Sequence, residues 1–280
     1  MLRHEFRAMG TKIELLLDAD EGEQARSAFL AVEEEFERLE AMLSRFRTDS
    51  ELSQLNREGR ILAPPDLERV LELALEARER TGGRFDPTVL DALSQAGYDR
   101  SFEQIAPEAD GNGSGGARCG GGVTIDHETG SIELEPGFHL DLGGIGKGYA
   151  VDRAIEILGV AGPCLVNAGG DLAVRGEEPW PVGIEDGPTL ELSRGAIATS
   201  GRDRRHWRRD GEERHHLIDP ATSRPAETDL LRVTVVASAA VEADVLAKTL
   251  FLGGEEEAAA ADVPALLVTA DGRKRLVGGL

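Results

Sequence analysis

An α+β fold, with helices in the N-terminal part and a sheet-rich C-terminal part, is what these 280 residues predict. Two textures carry the prediction. Early in the chain, apolar residues recur at three- and four-residue spacing between helix start and stop signals. From about Val123 the pattern changes to short apolar runs separated by tight turns. No internal repeat and no clear linker separates the two, so the sequence reads as one domain over 1–280.

The elements follow in order. Phe6-Arg7-Ala8-Met9-Gly10-Thr11 leads into a strand at 12–17. A long helix is expected from about 21 to 43, with Phe29, Val32, Phe36, Leu39 and Leu43 as its buried stripe. After the loop at 44–50 a short helix covers 51–56, and Pro64-Pro65-Asp66 opens another that stops at Gly82-Gly83. Residues of about 107–122 are glycine-rich and read as a surface insertion or mobile loop. Strands are expected at 123–125, 132–134, 140–142, 164–167, 172–175, 180–184, 196–198 and 230–237. An amphipathic helix follows Gly146, and a last helix, from about 241 to 251, precedes a strand at 266–269.

Bulk composition excludes several function classes. The formal charge is −21, from 52 acidic against 31 basic residues, and only Lys12, Lys147, Lys248 and Lys274 are lysines. Such a field repels nucleic acid and anionic membranes. It also repels a nucleotide, so any phosphate site must bring its own cation. No apolar run is long enough to span a bilayer. Cys119 and Cys164 give neither a disulfide framework nor a metal cluster and read as reduced thiols. With no apolar signal region in its opening residues, the chain reads as cytoplasmic or as a mature fragment; a monomer or homodimer is expected.

The most informative stretch is Leu140-Asp141-Leu142-Gly143-Gly144-Ile145-Gly146-Lys147-Gly148-Tyr149-Ala150-Val151-Asp152. A strand ending on a carboxylate, a glycine turn and a helix with lysine in its first turn aim backbone N–H groups and a helix dipole at one point, which suits phosphate. The same glycines would also serve to pack a helix tightly on a sheet. The spacing is neither GxGxxG nor a Walker loop. Four further clusters stand out: Phe85-Asp86-Pro87-Thr88; Asn167-Ala168-Gly169-Gly170-Asp171; Ala198-Thr199-Ser200-Gly201 with His215-His216-Leu217-Ile218-Asp219-Pro220; and Asp244 four residues before Lys248 on one helix face. A histidine of the pair can act as a base near neutral pH, and Asp244 offers the oxygen that Mg²⁺ prefers. Read alone, each is also an ordinary turn, a surface histidine pair or a helix ion pair.

Taken together and in this order, with Ser44-Arg45-Phe46 and Asp49-Ser50-Glu51-Leu52-Ser53, the clusters resemble the ApbE family of FAD:protein FMN transferases over residues 6 to about 254. The resemblance implies a single ApbE-like domain that binds FAD, splits its pyrophosphate with Mg²⁺ and attaches FMN to a threonine or serine of an acceptor flavoprotein, releasing AMP. It implies FAD contacts from Met9, Phe46, Phe85, Asp86, Pro87, Asp141, Lys147 and Ile218. It implies metal ligation by the Gly144 carbonyl, Asp244 and Thr249, and makes His216 the candidate base, with Lys147 acting on the pyrophosphate. Phe46 stands where tyrosine is common, so a hydroxyl contact is lost. Lys248 stands where many members carry threonine or serine; Thr249, five residues past Asp244, ligates only if the helix is distorted. The same site would serve an FAD pyrophosphatase, with water as nucleophile, or a non-catalytic FAD-binding protein.

Overall fold

The computed structural model describes residues 1–105, 108–109 and 116–280, so the glycine-rich stretch lies partly outside the described residues. The first elements are β1 (Leu2–Ala8), β2 (Thr11–Leu17), α1 (Glu23–Leu43), α2 (Glu51–Glu58), β3 (Arg60–Leu62), α3 (Pro65–Arg80) and α4 (Leu90–Gln95). Next come β4 (Glu108–Ala109), β5 (Val123–Asp126), β6 (Ser131–Leu134), α5 (Gly146–Leu158), β7 (Cys164–Ala168), β8 (Asp171–Gly183) and β9 (Thr189–Gly201). The last are β10 (His206–Arg209), β11 (Glu212–His215), β12 (Ile218–Asp219), β13 (Arg224–Pro225), β14 (Leu230–Ala237), α6 (Ala240–Ala260), β15 (Ala265–Thr269) and β16 (Lys274–Val277). The mixture is the α+β class that the two textures predict. Among the described residues no helix is long and apolar enough to cross a membrane.

Two compact units share the chain. The first comprises Met1–Glu40, Ile145–Ser200 and Asp229–Leu280; the second comprises Ala41–Gly144 and Gly201–Thr228.

In the first unit, eight strands form one sheet in the order β1-β2-β7-β8-β9-β14-β15-β16. β1 and β2 pair through a two-residue turn, Ala8 opposite Thr11, and both turn residues have positive φ (Met9 50°, Gly10 66°). That is the geometry whose twist matches a hairpin. Inward residues Ile13, Leu15 and Leu17 are fully buried, and β1 brings His4 and Phe6 beside them in register. α1 covers this patch: Phe29 stacks on His4 and Phe36 meets Phe6 edge to face. On the opposite face Leu165, Leu172, Val174, Trp180, Val182, Ile184, Ile197, Leu266 and Val268 form a second apolar cluster. The two strands expected at 172–175 and 180–184 are one strand, β8, whose register against β9 shifts between Arg175 and Trp180.

α5 packs against α6, and Gly148 makes the approach possible. A Cβ there would sit 2.7 Å from both the Ala240 carbonyl oxygen and the Val241 Cα. Asp152, one turn on, accepts from the Ala240 and Val241 N–H groups at 2.7 and 2.9 Å. The motif's last glycine and last aspartate thus clamp the start of α6, capping donors that a helix leaves unpaired.

In the second unit Ser50 caps α2, its hydroxyl oxygen accepting from Ser53 N–H at 3.0 Å. Pro65 opens α3 at its first position. Small sheets follow in the orders β3-β6-β5 and β11-β10-β4, with β12 on β13. The strand expected at 140–142 is absent: the segment has no regular structure. An amide side chain replaces a strand partner there. Leu140 N–H donates to Asn56 Oδ1 at 2.7 Å, and Asn56 Nδ2 donates to the Leu140 carbonyl at 2.9 Å. The described end of the glycine-rich stretch is held in place, since Gly120 and Gly121 N–H donate to Thr88 Oγ1.

Gly148→Ala would force α6 off α5. The expected cost is about 1–3 kcal/mol, a thermal midpoint lower by roughly 2–10 °C. An unchanged melt would show that the helices do not meet this closely.

Candidate functional site

Each unit gathers its own group of the residues singled out in the sequence. In the first unit these are Met9, Lys147, Asp244 and Thr249; in the second they are Phe46, Phe85, Asp86, Pro87, Asp141, Gly144, His216 and Ile218. The chain passes from second to first at Gly144 to Ile145, inside the glycine turn.

The first group centres on Lys147, in the first turn of α5. Its ammonium donates to Asp171 Oδ2 and lies 3.9 Å from Asp244 Oδ2. Asp171 is delivered by the β7–β8 turn, where Gly169 and Gly170 both take positive φ (67° and 111°). Asp244 is delivered by α6, once Asp152 and Gly148 have set that helix. Both carboxylates are buried, with side chains 4% and 7% exposed, against 20% for Lys147. Burial raises the Asp244 pKa to about 6, outweighing the opposing pull of Lys147; Asp171 adds to the rise, while Lys248 and the Gly148 N–H oppose it.

Among the described residues Asp244 Oδ2 has no hydrogen-bond partner. A buried, unsatisfied carboxylate oxygen costs free energy and calls for a physical reason. Hard oxygen donors at such a point fit a hard divalent cation. Thr249 sits on a regular stretch of α6, whose non-helical residue is Gly254, and its hydroxyl donates to the Val245 carbonyl at 2.8 Å. The distortion that would swing Thr249 toward Asp244 is therefore not in its own turn. Met9, at the β1–β2 turn, is fixed through its N–H to Glu40 at 2.8 Å.

In the second unit two candidate carboxylates are already engaged. Asp86 Oδ1 accepts from the Thr88 N–H and hydroxyl at 2.8 and 2.7 Å, and Arg78 Nε lies 3.8 Å from its Oδ2. Asp141 Oδ1 accepts from Gly143 N–H at 3.0 Å, its Oδ2 pairs with Arg45 Nε at 2.5 Å, and its N–H donates to the Pro87 carbonyl at 2.8 Å. These aspartates shape their turns and tie one to the other. Phe85 and Pro87 are buried, as is Ile218 on β12.

Around Asp141 lies a cluster that the sequence reading did not single out. The buried Arg45 guanidinium touches two rings tilted to each other, 4.1 Å from the Phe46 centroid and 4.6 Å from the Tyr98 centroid, a double cation–π contact. Its second terminal nitrogen has no hydrogen-bond partner among the described residues. Tyr98 also meets Trp207 and His216, at 5.6 and 6.5 Å between centroids. Phe46 stays 41% exposed, an open aromatic face. No motif marks Tyr98; Arg45 and Asp171 lie inside quoted motifs but carried no assigned role there.

The two histidines differ. His215 is buried, its Nε2–H donating to the Ala226 carbonyl at 3.0 Å while Nδ1 accepts from Leu217 N–H at 3.3 Å. That pattern is a neutral imidazole, and burial lowers its pKa. His216 is half-buried, with Nδ1 3.4 Å from the Arg205 carbonyl. In the tautomer that donates there, Nε2 is the unprotonated ring nitrogen. A separate group, Glu68, Glu72 and His127, brings ligand-type atoms within 4.8 Å of one another at the surface.

A family model described as the ApbE family matches residues 9–264. The FAD:protein FMN transferase of Treponema pallidum is 31% identical over 298 residues, covering 91% of this chain and 82% of the relative. That of Salmonella typhimurium is 30% identical, covering 91% and 79%. Among solved structures, the ApbE protein of Thermotoga maritima superposes with a TM-score of 0.85 at 25% identity, covering 99% of this chain and 97% of that one. The flavin transferase ApbE of Vibrio cholerae shares the fold at a TM-score of 0.78 and 23% identity, covering 99% and 96%.

His215 makes the acid side of the stability curve testable. Its folded pKa lies below the unfolded value of 6.5. The stability of the neutral form is therefore complete above that value and is lost as pH falls through the folded pKa. Denaturant midpoints between pH 8 and 5 are expected to drop more steeply for the wild type than for His215→Gln; parallel curves would contradict the neutral assignment.

Proposed function

The chain belongs to the ApbE family, and from that premise we propose that it is a flavin transferase. It would cleave FAD between its phosphates, join the FMN half by a phosphoester to a threonine or serine hydroxyl of an acceptor flavoprotein, and release AMP. The observation that carries the reading is the Lys147 ammonium beside a buried carboxylate whose oxygen lacks a hydrogen-bond partner among the described residues, in a chain of formal charge −21. A diphosphate needs local cations in such a field, and Lys147 supplies one.

The chain's own groups divide the work. Lys147 binds the pyrophosphate and neutralises charge that moves toward the leaving phosphate. Asp244, with the Gly144 carbonyl, would hold Mg²⁺, whose charge would stabilise that same phosphate; Thr249, on a regular turn with its hydroxyl on the Val245 carbonyl, is left out of that set. Lys248, one turn after Asp244, adds a second cation on that face. His216 Nε2 takes the proton of the acceptor hydroxyl as its oxygen attacks phosphorus. Phe46 offers its open ring to an aromatic ring of FAD. Met9, Phe85, Pro87 and Ile218 complete the FAD contacts. Asp86 and Asp141 contribute by fixing the backbone around them rather than by a free carboxylate. The proposal places the reaction in the cytoplasm, where Cys119 and Cys164, both unpaired, would remain reduced. It takes a monomer or homodimer as the working species.

The test is FAD and Mg²⁺ with and without a flavoprotein subunit carrying a Ser/Thr acceptor segment. Acid-stable, protein-bound flavin fluorescence with an equal yield of AMP is expected; free FMN alone would mean that water is the nucleophile. Asp244→Ala is expected to lower metal-dependent turnover by at least about 100-fold with an unchanged melt. His216→Ala is expected to slow transfer about 10²–10⁴-fold with little change in FAD affinity. Equal losses in rate and affinity would contradict the base role.

A further inference from the structure

The chain reverses its charge between residues 202 and 209. Arg202, Arg204, Arg205, Arg208 and Arg209 stand there against one carboxylate, Asp203, in a protein of formal charge −21. The stretch forms a bend at 202–205 followed by β10. Arg204 and Arg208 are exposed, and Arg202 and Arg205 half-exposed. Arg208 stands in register with Glu213 on β11. Arg209 has a structural task, donating to the Gln95 carbonyl at 3.0 Å.

This basic bend is fastened beside the candidate base. β10 pairs with β11, placing His206 opposite His215, the residue before His216. The Arg205 carbonyl lies 3.4 Å from His216 Nδ1. Trp207 is buried beneath the bend and donates to the Ala96 carbonyl at 2.8 Å. The arginine charges are felt nearby: Arg202 acts on His215, and Arg205 on Tyr98, the ring that meets His216.

A chain this acidic repels an acidic partner everywhere else on average. A local basic surface next to the base therefore admits, and orients, a partner whose carboxylates flank the reacting hydroxyl. We propose that the bend from Arg202 to Arg208 is the docking surface for the acceptor protein, which it recognises by acidic side chains adjacent to the acceptor threonine or serine. The proposal rests on the flavin-transfer reading. In the docked complex the acceptor O–H passes its proton to His216 Nε2, its oxygen bonds to the FMN phosphorus, the bond from that phosphorus to the bridging oxygen breaks, and AMP departs.

The test uses the full chain, FAD, Mg²⁺ and three synthetic peptides, each with one threonine flanked by Asp/Glu, by Asn/Gln or by Lys. Flavinylated peptide and free FMN are measured together. The acidic peptide is expected to exceed the neutral one in kcat/KM by about tenfold at low salt, with the gap closing as salt shortens the screening length. Arg204→Glu with Arg208→Glu should abolish that preference and favour the Lys peptide, while FAD affinity and FAD hydrolysis by water stay within about twofold. Equal rates for acidic and neutral peptides, or an acidic preference that survives the double variant, would overturn the docking surface. So would parallel loss of FAD affinity in that variant, which would assign the arginines to the nucleotide. FAD cleavage without modification of any peptide contradicts the docking surface while leaving FAD chemistry in place. Absence of both FAD binding and AMP release in the wild type would overturn the flavin-transfer reading itself.

Discussion

Lys147 pressed against Asp171, with Asp244 close by, is the constraint around which the first unit is arranged. Three elements must converge to make it: the start of α5, the β7–β8 turn and the first half of α6. Each arrival has a local cause. Two glycines with positive φ let the hairpin turn deliver Asp171. Gly148 leaves room for α6, and Asp152 caps it, so that Asp244 faces α5. Burying two carboxylates around one ammonium is not a route to stability, since desolvation of such groups rivals their attraction. The pKa of Asp244, raised despite the nearby ammonium, records that balance. The arrangement makes sense as a site whose charges are completed by a ligand.

The second unit uses charge differently. Asp86 and Asp141 spend their oxygens on their own turns and on arginines, which fixes the backbone from Phe85 to Thr88 and at the entry to the glycine turn. Arg45 pairs with Asp141 while touching two adjacent aromatic rings, so one side chain joins the 44–50 loop, Tyr98 and the motif. The open face of Phe46 and the half-buried His216 are then presented by a framework whose aspartate oxygens are engaged. In that unit the acidic residues build shape, and the arginines of the bend at 202–205 supply the surface field.

Legibility in the sequence followed the physics of each element. α1 was readable because its stripe, from Phe29 to Leu43, has helical period; the observed helix, Glu23–Leu43, starts two residues later than expected. α2, expected at 51–56, runs two residues further, and α3 was readable from Pro65 at its start. β1 was not, because His4 occupies one of its covered positions and breaks the apolar alternation. The β10–β11 hairpin was hidden for a stronger reason: most of its residues are charged, and its buried anchors, Trp207 and His215, make no apolar alternation. Leu140 to Leu142 looked like a strand because apolar and polar residues alternate from Phe138 to Leu142; Asn56, far away in sequence, takes the partner's place. Lys147 and Asp244 were singled out by the order of their motifs, and the structure brings them to 3.9 Å. The role of Arg45 was not legible, since its cation–π contact with Tyr98, more than fifty residues away, leaves no mark on spacing.

The central claim is that the diphosphate of FAD is held by Lys147 with a divalent ion on Asp244. A crystal of the protein with FAD and Mn²⁺, read by anomalous scattering, tests it most directly. The account predicts a manganese peak about 2.2 Å from an Asp244 carboxylate oxygen and a phosphate oxygen within hydrogen-bond distance of Lys147 Nζ. Manganese at Glu68, Glu72 and His127 alone, or phosphates away from Lys147, would contradict it.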